Sequence, residues 1–196
     1  MRKRNLLILL IQLIFIITAE CLAVVSDQLE QANALTKNNQ YEQAETIYLQ
    51  IRAGNPGSDA ALGAQKKLAL IYLATNRQQQ AVTASQQLIT EFSRHKGITE
   101  AVWKIARVFN SAGNKEKANE LHQHNVANYP KDKYAMWSQV EIVQSHIRDG
   151  DDVAADAAYN KLLNTFSKQP TLPKEIYQLA QRFSQAGKKG QSCTAL

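Results

Sequence analysis

A chain of 196 residues with a formal charge of +6, 8 Gly, 4 Pro and 2 Cys falls outside several classes at once. Two cysteines cannot staple a small secreted scaffold, and so little Gly and Pro excludes a linker-rich or low-complexity chain. With 44% hydrophobic and 20% charged residues, it can bury a core as one domain or one continuous array.

The chain opens on Arg2-Lys3-Arg4, runs through apolar residues from Leu6 to Ile17 broken only by Gln12, and continues Thr18-Ala19-Glu20-Cys21-Leu22-Ala23. A basic start, a short apolar stretch and small residues after it form the pattern of a secretory signal peptide over residues 1–23. The run is short for a membrane span, although extending it to Val25 across Glu20 would make a marginal uncleaved anchor. The expected location is therefore secreted or periplasmic, or else membrane-anchored through the N-terminus with the remainder outside the cytoplasm. Cys21 is a poor lipidation site because Glu20, not a small residue, precedes it. Cleavage after Ala23 would leave Cys193 as the one thiol, so no intrachain disulfide is expected. From Val24 onward, 20 basic residues face 16 acidic ones. They are spread among one another rather than gathered in a stripe with aromatics, which argues against nucleic acid as a partner.

Beyond the leader the sequence repeats. Ala44, Ala81, Ala118 and Ala155 lie 37 residues apart, and the next step falls on Ser192. Twelve residues before each anchor stand Ala32, Ala69, Ala106, Val143 and Ala180; nine before stand Leu35, Tyr72, Phe109, His146 and Phe183. Five before come Asn39, Asn76, Gly113, Gly150 and Gly187, and eleven after come Asn55, Phe92, Tyr129 and Phe166. Gly and Asn tolerate the left-handed backbone of a tight turn at a helix end. Small residues let two helices approach closely, and the aromatic columns fill the space between successive pairs. In the second repeat Leu68, Ala69 and Tyr72 share a stripe at helical spacing that Lys66, Lys67 and Thr75 do not. The unit is an αα-hairpin, and the repeats are expected at about 26–57, 58–95, 96–130, 131–170 and, incompletely, 171–196.

The segments LALIYLATNRQQQA, IARVFNSAGNKEKA and LAQRFSQAGKKGQS resemble the tetratricopeptide repeat family. The usual unit there has 34 residues, with small residues in both helices, an aromatic late in the first and a proline after the second. The resemblance covers about Ser26 to the end. Departures are three extra residues per repeat, Ser93 and Ser167 where proline is common, His146 in the aromatic column, and Gln31 in an otherwise aliphatic one. Units of this length are similar to those of exported envelope proteins. The resemblance implies an all-α fold, a right-handed α-solenoid of antiparallel helix pairs. It further implies a noncatalytic scaffold for protein or peptide partners in the cell envelope. The alternative is a regulatory or targeting module of a larger envelope enzyme continuing past Leu196. A solenoid that stops inside its last hairpin would leave Leu179, Ala180 and Phe183 partly open, covered by a partner or membrane or by further chain.

Residues that could carry chemistry are few. His122 and His124 are two apart and point in different directions on a helix, so they read as surface residues rather than a zinc pair. His146 reads as a packed imidazole. Asp149-Gly150-Asp151-Asp152 lacks the spacing of a calcium loop and suits a turn and helix start. No phosphate loop, nucleophile elbow or metalloprotease motif is present, so neither catalysis, nor a cofactor, nor a metal is expected.

In the resembled family, ligands lie in the groove of the first helices. That places Lys66, Leu70 and Leu73, then Trp103, Arg107, Asn110 and Ser111, then Val140, Gln144, Ile147 and Arg148, and finally Tyr177, Gln181, Ser184 and Gln185 on the inner face. Trp103, Arg107, Asn110, Gln144, Arg148 and Tyr177 are the candidate partner-binding residues, with Trp137 nearby. Rings would anchor a segment and amides would meet its backbone; the other reading of Trp103 and Trp137 is packing between repeats. The carboxylate clamp of some family members is not supported, because Lys67, Glu100 and Lys104 stand where it needs Asn, Lys and Arg.

Overall fold

The computed structural model describes residues 23–185. Residues 1–22, which include Cys21 and nearly all of the expected signal peptide, and Gly187, Ser192 and Cys193 of the expected last repeat, lie outside the described residues. Nine helices are described: α1 (23–37), α2 (Tyr41–Gly54), α3 (Asp59–Ala74), α4 (Gln78–Glu91), α5 (Ile98–Ser111), α6 (Lys115–Asn128), α7 (Lys133–Asp149), α8 (Asp152–Phe166) and α9 (Leu172–Gln185). Among the described residues there is no strand. None of their helices is long and apolar enough to cross a membrane.

The turns inside the helix pairs fall on the Asn/Gly column. Asn39, Asn76, Gly113 and Gly150 have φ of 59°, 58°, 85° and 73°, the left-handed conformation that Asn and Gly adopt at least cost. Four of the described helices, α3, α6, α7 and α8, start on polar caps. The side chain of Ser58 accepts from the Ala61 N–H, that of Asn114 from Lys117, that of Asp132 from Tyr134 and that of Asp151 from Ala154, each satisfying a donor the first turn leaves open. Asp151 is thus a capping residue, and Lys115 holds Asp149 at 2.6 Å.

The chain divides into two units, one up to Phe92 and one from Ser93. In the first, Ala32, Ala44, Tyr48, Ile51, Ala64, Leu68 and Ile71 form the core. The small columns meet where α1 crosses α2 and where α3 crosses α4; Ala32, Ala44, Ala69 and Ala81 are wholly buried. Polar braces flank this core. Tyr48 donates to Asn33 at 2.9 Å, Tyr72 donates to Glu45 at 2.9 Å, and Arg77 pairs with the same carboxylate at 2.7 Å. Arg52 reaches Glu91 at 2.5 Å, tying α2 to α4.

In the second unit α5 packs on α6 and α7, and α7 also meets α6, α8 and α9. The apolar stripe of α5, Ile98, Val102, Ile105, Ala106 and Phe109, is buried; each large side chain of such a stripe contributes about 1.5–3 kcal/mol. Val126, Met136, Val143, Leu162, Phe166, Leu179 and Phe183 form the core further along. Leu179 and Phe183 are therefore not open, contrary to the expectation from the sequence. They face α7 and α8, with Phe183 edge-on to Tyr159 at 6.1 Å, and Ala180 is half-buried. Asn125 inside this unit donates to the Thr99 carbonyl at 2.9 Å and to the Ser138 hydroxyl at 3.2 Å, joining α5, α6 and α7.

Candidate partner-binding groove

The first helices of the second unit's repeats, α5, α7 and α9, border one concavity of about 460 Å³, within the size range of ligand clefts. Trp103, Arg107, Asn110, Gln144 and Arg148, five of the six sequence candidates, line it together. They lie there because α5 and α7 bury their apolar stripes against α6 and α8 and turn the opposite stripes outward. Tyr177 does not line it. The α9 residues that do are Glu175, Gln178 and Arg182, and Tyr177, rotated about 100° from Gln178, is 58% exposed elsewhere on the helix. The inner-face columns describe one side of each first helix, whereas a groove wall is also built by the flank of the next helix that looks back. Glu141 and Gln178, both fourteen residues before their anchors, belong to that flank, and the column fourteen before the anchor was the signal that could have found them.

The wall at the α5 end is aromatic. Trp103, Tyr134 and Trp137 form a triangle with centroids 5.0–5.7 Å apart and interplanar angles of 44°, 50° and 86°. The rings are half-buried and tilted, so they pack against one another instead of making a flat platform of the kind a sugar ring stacks on. The two tryptophan rings pack against each other between α5 and α7, and the same rings line the groove. Cations crowd the triangle: Arg107 sits 4.8 Å from the Trp103 centroid, and Lys133 sits 5.0 Å and 5.8 Å from those of Tyr134 and Trp137, within reach of the ring quadrupoles. Burial, with the Glu100 carboxylate beside it, raises the Tyr134 hydroxyl above its ordinary value. Glu100 also pairs with Lys104 along α5.

The rest of the groove is polar. Arg107 pairs with Glu141 at 3.4 Å, while Arg148 and Arg182 form no ion pair among the described residues. The side-chain amides of Asn110, Gln144 and Gln178 make no hydrogen bond among those residues and are open to a partner's backbone.

Beneath the groove lies His122 of α6, in a small cleft shared with Asn110, Glu141, Ser145 and Arg148. It is 5% exposed, so the surface reading of this histidine fails. α6 turns it inward between α5 and α7 instead of out to solvent. Burial, and then the charges of Arg107 and Arg148, lower its pKa to about 4, and its Nδ1 has no hydrogen-bond partner. His124 is half-buried with its ring edge against Tyr129 at 6.0 Å, and burial lowers its pKa also. In the first unit the positions proposed for the inner face diverge: Leu73 is buried in the core, whereas Lys66 and Leu70 are half-buried.

Comparison with known proteins gives a consistent picture. The family model for the tetratricopeptide repeat matches residues 64–95, from within α3 through α4. Among solved structures, the chain is similar to the tetratricopeptide-like repeats of a Podospora anserina protein of kinesin light chain type. That match has 20% identity and a TM-score of 0.57, covering 87% of this chain and 90% of that one. The chain has a tetratricopeptide-like repeat fold. Other tetratricopeptide-like neighbours are MamA, at 13% identity and TM-score 0.52 over 84% of this chain and 89% of that one, and the C-terminal part of a repeat protein from Cytophaga hutchinsonii, at 17% and 0.53 over 85% and 61%. At these identities the likeness is one of fold, the all-α fold of tetratricopeptide-like solenoids. No curated protein matches the chain.

Proposed function

We propose that this tetratricopeptide-like protein is a noncatalytic scaffold of the cell envelope that holds a segment of a protein partner in the groove of α5, α7 and α9. Repeats of this fold generally mediate protein–protein interaction, and one observation carries the assignment of the groove. It is the meeting of Trp103, Arg107, Asn110, Gln144 and Arg148 around a single concavity. Its aromatic wall offers apolar area at low entropic cost, and its open amides suit a peptide backbone. The envelope placement is supported by the Arg2-Lys3-Arg4 start and the apolar run to Ile17.

Two experiments test the proposal. Partner capture from envelope extract by the protein is expected to fall at least tenfold with Trp103→Ala and Arg107→Ala combined; undiminished capture by the folded double variant would remove the groove assignment. Expression with the native N-terminus, followed by fractionation and N-terminal sequencing, is expected to find the protein outside the cytoplasm, starting near Val24 or still attached to the membrane. Recovery of the intact chain from the cytoplasm alone would overturn the placement.

A further inference from the structure

We infer that the segment taken by this groove is acidic, with carboxylates seated against Arg148 and Arg182; the inference rests on the groove reading above. Arg107 already has partners, since its guanidinium covers Trp103 at 4.8 Å and faces Glu141 at 3.4 Å. That leaves Arg148 on α7 and Arg182 on α9, both exposed and both lining the same concavity, without an ion pair among the described residues. Of the two glutamates in the wall, Glu141 is matched by Arg107 and Glu175 stands without an ion pair among the described residues. The uncompensated charge is therefore two cations against one anion. Guanidinium groups present forked donors that match a carboxylate, which gives direction as well as attraction. Asn110, Gln144 and Gln178 lie in the same wall, where they can bond backbone groups between acidic side chains. Aromatic surface at one end and unpaired guanidinium at the other thus fit an extended chain with an apolar residue followed by acids. These arginines are not the carboxylate clamp of the family, which would need Asn, Lys and Arg at Lys67, Glu100 and Lys104.

The test uses the full-length protein and a phage-displayed library of random dodecapeptides. Peptides selected on the protein are expected to be enriched severalfold in Asp and Glu, and that enrichment to vanish on the variant Arg148→Gln/Arg182→Gln. Both substitutions fall on exposed side chains, and circular dichroism melting verifies the fold. A selected peptide, measured by fluorescence anisotropy, is expected to bind about tenfold more tightly than its counterpart with Asn and Gln for Asp and Glu. On the double arginine variant that ratio should shrink below twofold. Peptides that need Trp103 but show no acidic preference would overturn the inference and leave the groove reading standing. Peptides indifferent to Trp103→Ala and to the arginine variant would overturn both, as would a selection that enriches no peptide.

Discussion

Arg107 lies over Trp103 with its guanidinium carbon 4.8 Å from the ring centroid, while its Nε faces Glu141 at 3.4 Å. One side chain thus joins the aromatic and charged halves of the groove, and more than half of it is exposed. An exposed ion pair plus an exposed cation–π contact contributes about 1 kcal/mol together. Arg107→Ala is therefore expected to lower stability in urea unfolding by about 1 kcal/mol at most. Trp103→Ala removes a ring packed on Tyr134 and Trp137 and is expected to cost about 2 kcal/mol or more. Equal losses in the two variants would mean that the stack is structural.

A second prediction concerns two glutamines 74 residues apart, two repeat lengths. Gln65 donates to the Ala84 carbonyl and Gln139 to the Ala158 carbonyl, each at 2.8 Å, and in both the side-chain oxygen is buried without a partner. Gln65 also donates to the Gln87 side-chain oxygen at 3.2 Å, and in each glutamine the bonding gain is offset by one unsatisfied acceptor. Gln65→Leu and Gln139→Leu are each expected to change stability by less than about 1 kcal/mol in chemical denaturation, and in the same direction. A loss above about 2 kcal/mol in either would show that the bond outweighs its orphaned oxygen.

The turn column gives a third. A Cβ at Gly113 or Gly150 would meet nothing within 4 Å, so the cost of Gly→Ala there is that of the left-handed backbone alone. It should be about 1–2 kcal/mol per site. Asn76→Gly, at the equivalent turn, is expected to be within about 0.5 kcal/mol of the parent, because relief of the strained turn offsets the extra freedom of the unfolded chain. Thermal melts of the three variants check this ordering.

His122 makes stability depend on pH. Its pKa is depressed to about 4 in the folded protein, against about 6.5 in the unfolded chain. Between those values the unfolded state binds the additional proton, so stability falls as pH drops from about 6.5 toward 4, by about 2 kcal/mol at pH 5. His122→Gln is expected to flatten most of the slope of unfolding free energy between pH 7.5 and 5. An unaltered slope would remove this imidazole from the account.

Much of this architecture could be read from spacing. Columns at fixed offsets report what every repeat must do, so the alanines at helix crossings and the Asn/Gly turns were visible in the residues themselves. Sites unique to one repeat were not. Asn125 sits in a column held by Ile51, Leu88 and Leu162 in the other repeats, and nothing local announces that it links three helices. His122 looked like a surface residue because its spacing from His124 speaks to chelation and not to burial. Tyr177 occupies the repeat position of Trp103 but does not line the groove. An equivalent position in a repeat shares a groove only if the neighbouring helix follows on the same side, and here the groove uses the other flank of α9.

The chain has two tryptophans, and both sit in the aromatic triangle, 5.5 Å apart. Its tryptophan emission therefore originates entirely from the wall of the groove, and the indole part of the near-ultraviolet dichroism should report coupling between this one pair. The molecule carries a built-in optical reporter for occupancy of that wall. The unit before Ser93 contributes only tyrosine and phenylalanine, so excitation at 295 nm leaves it dark.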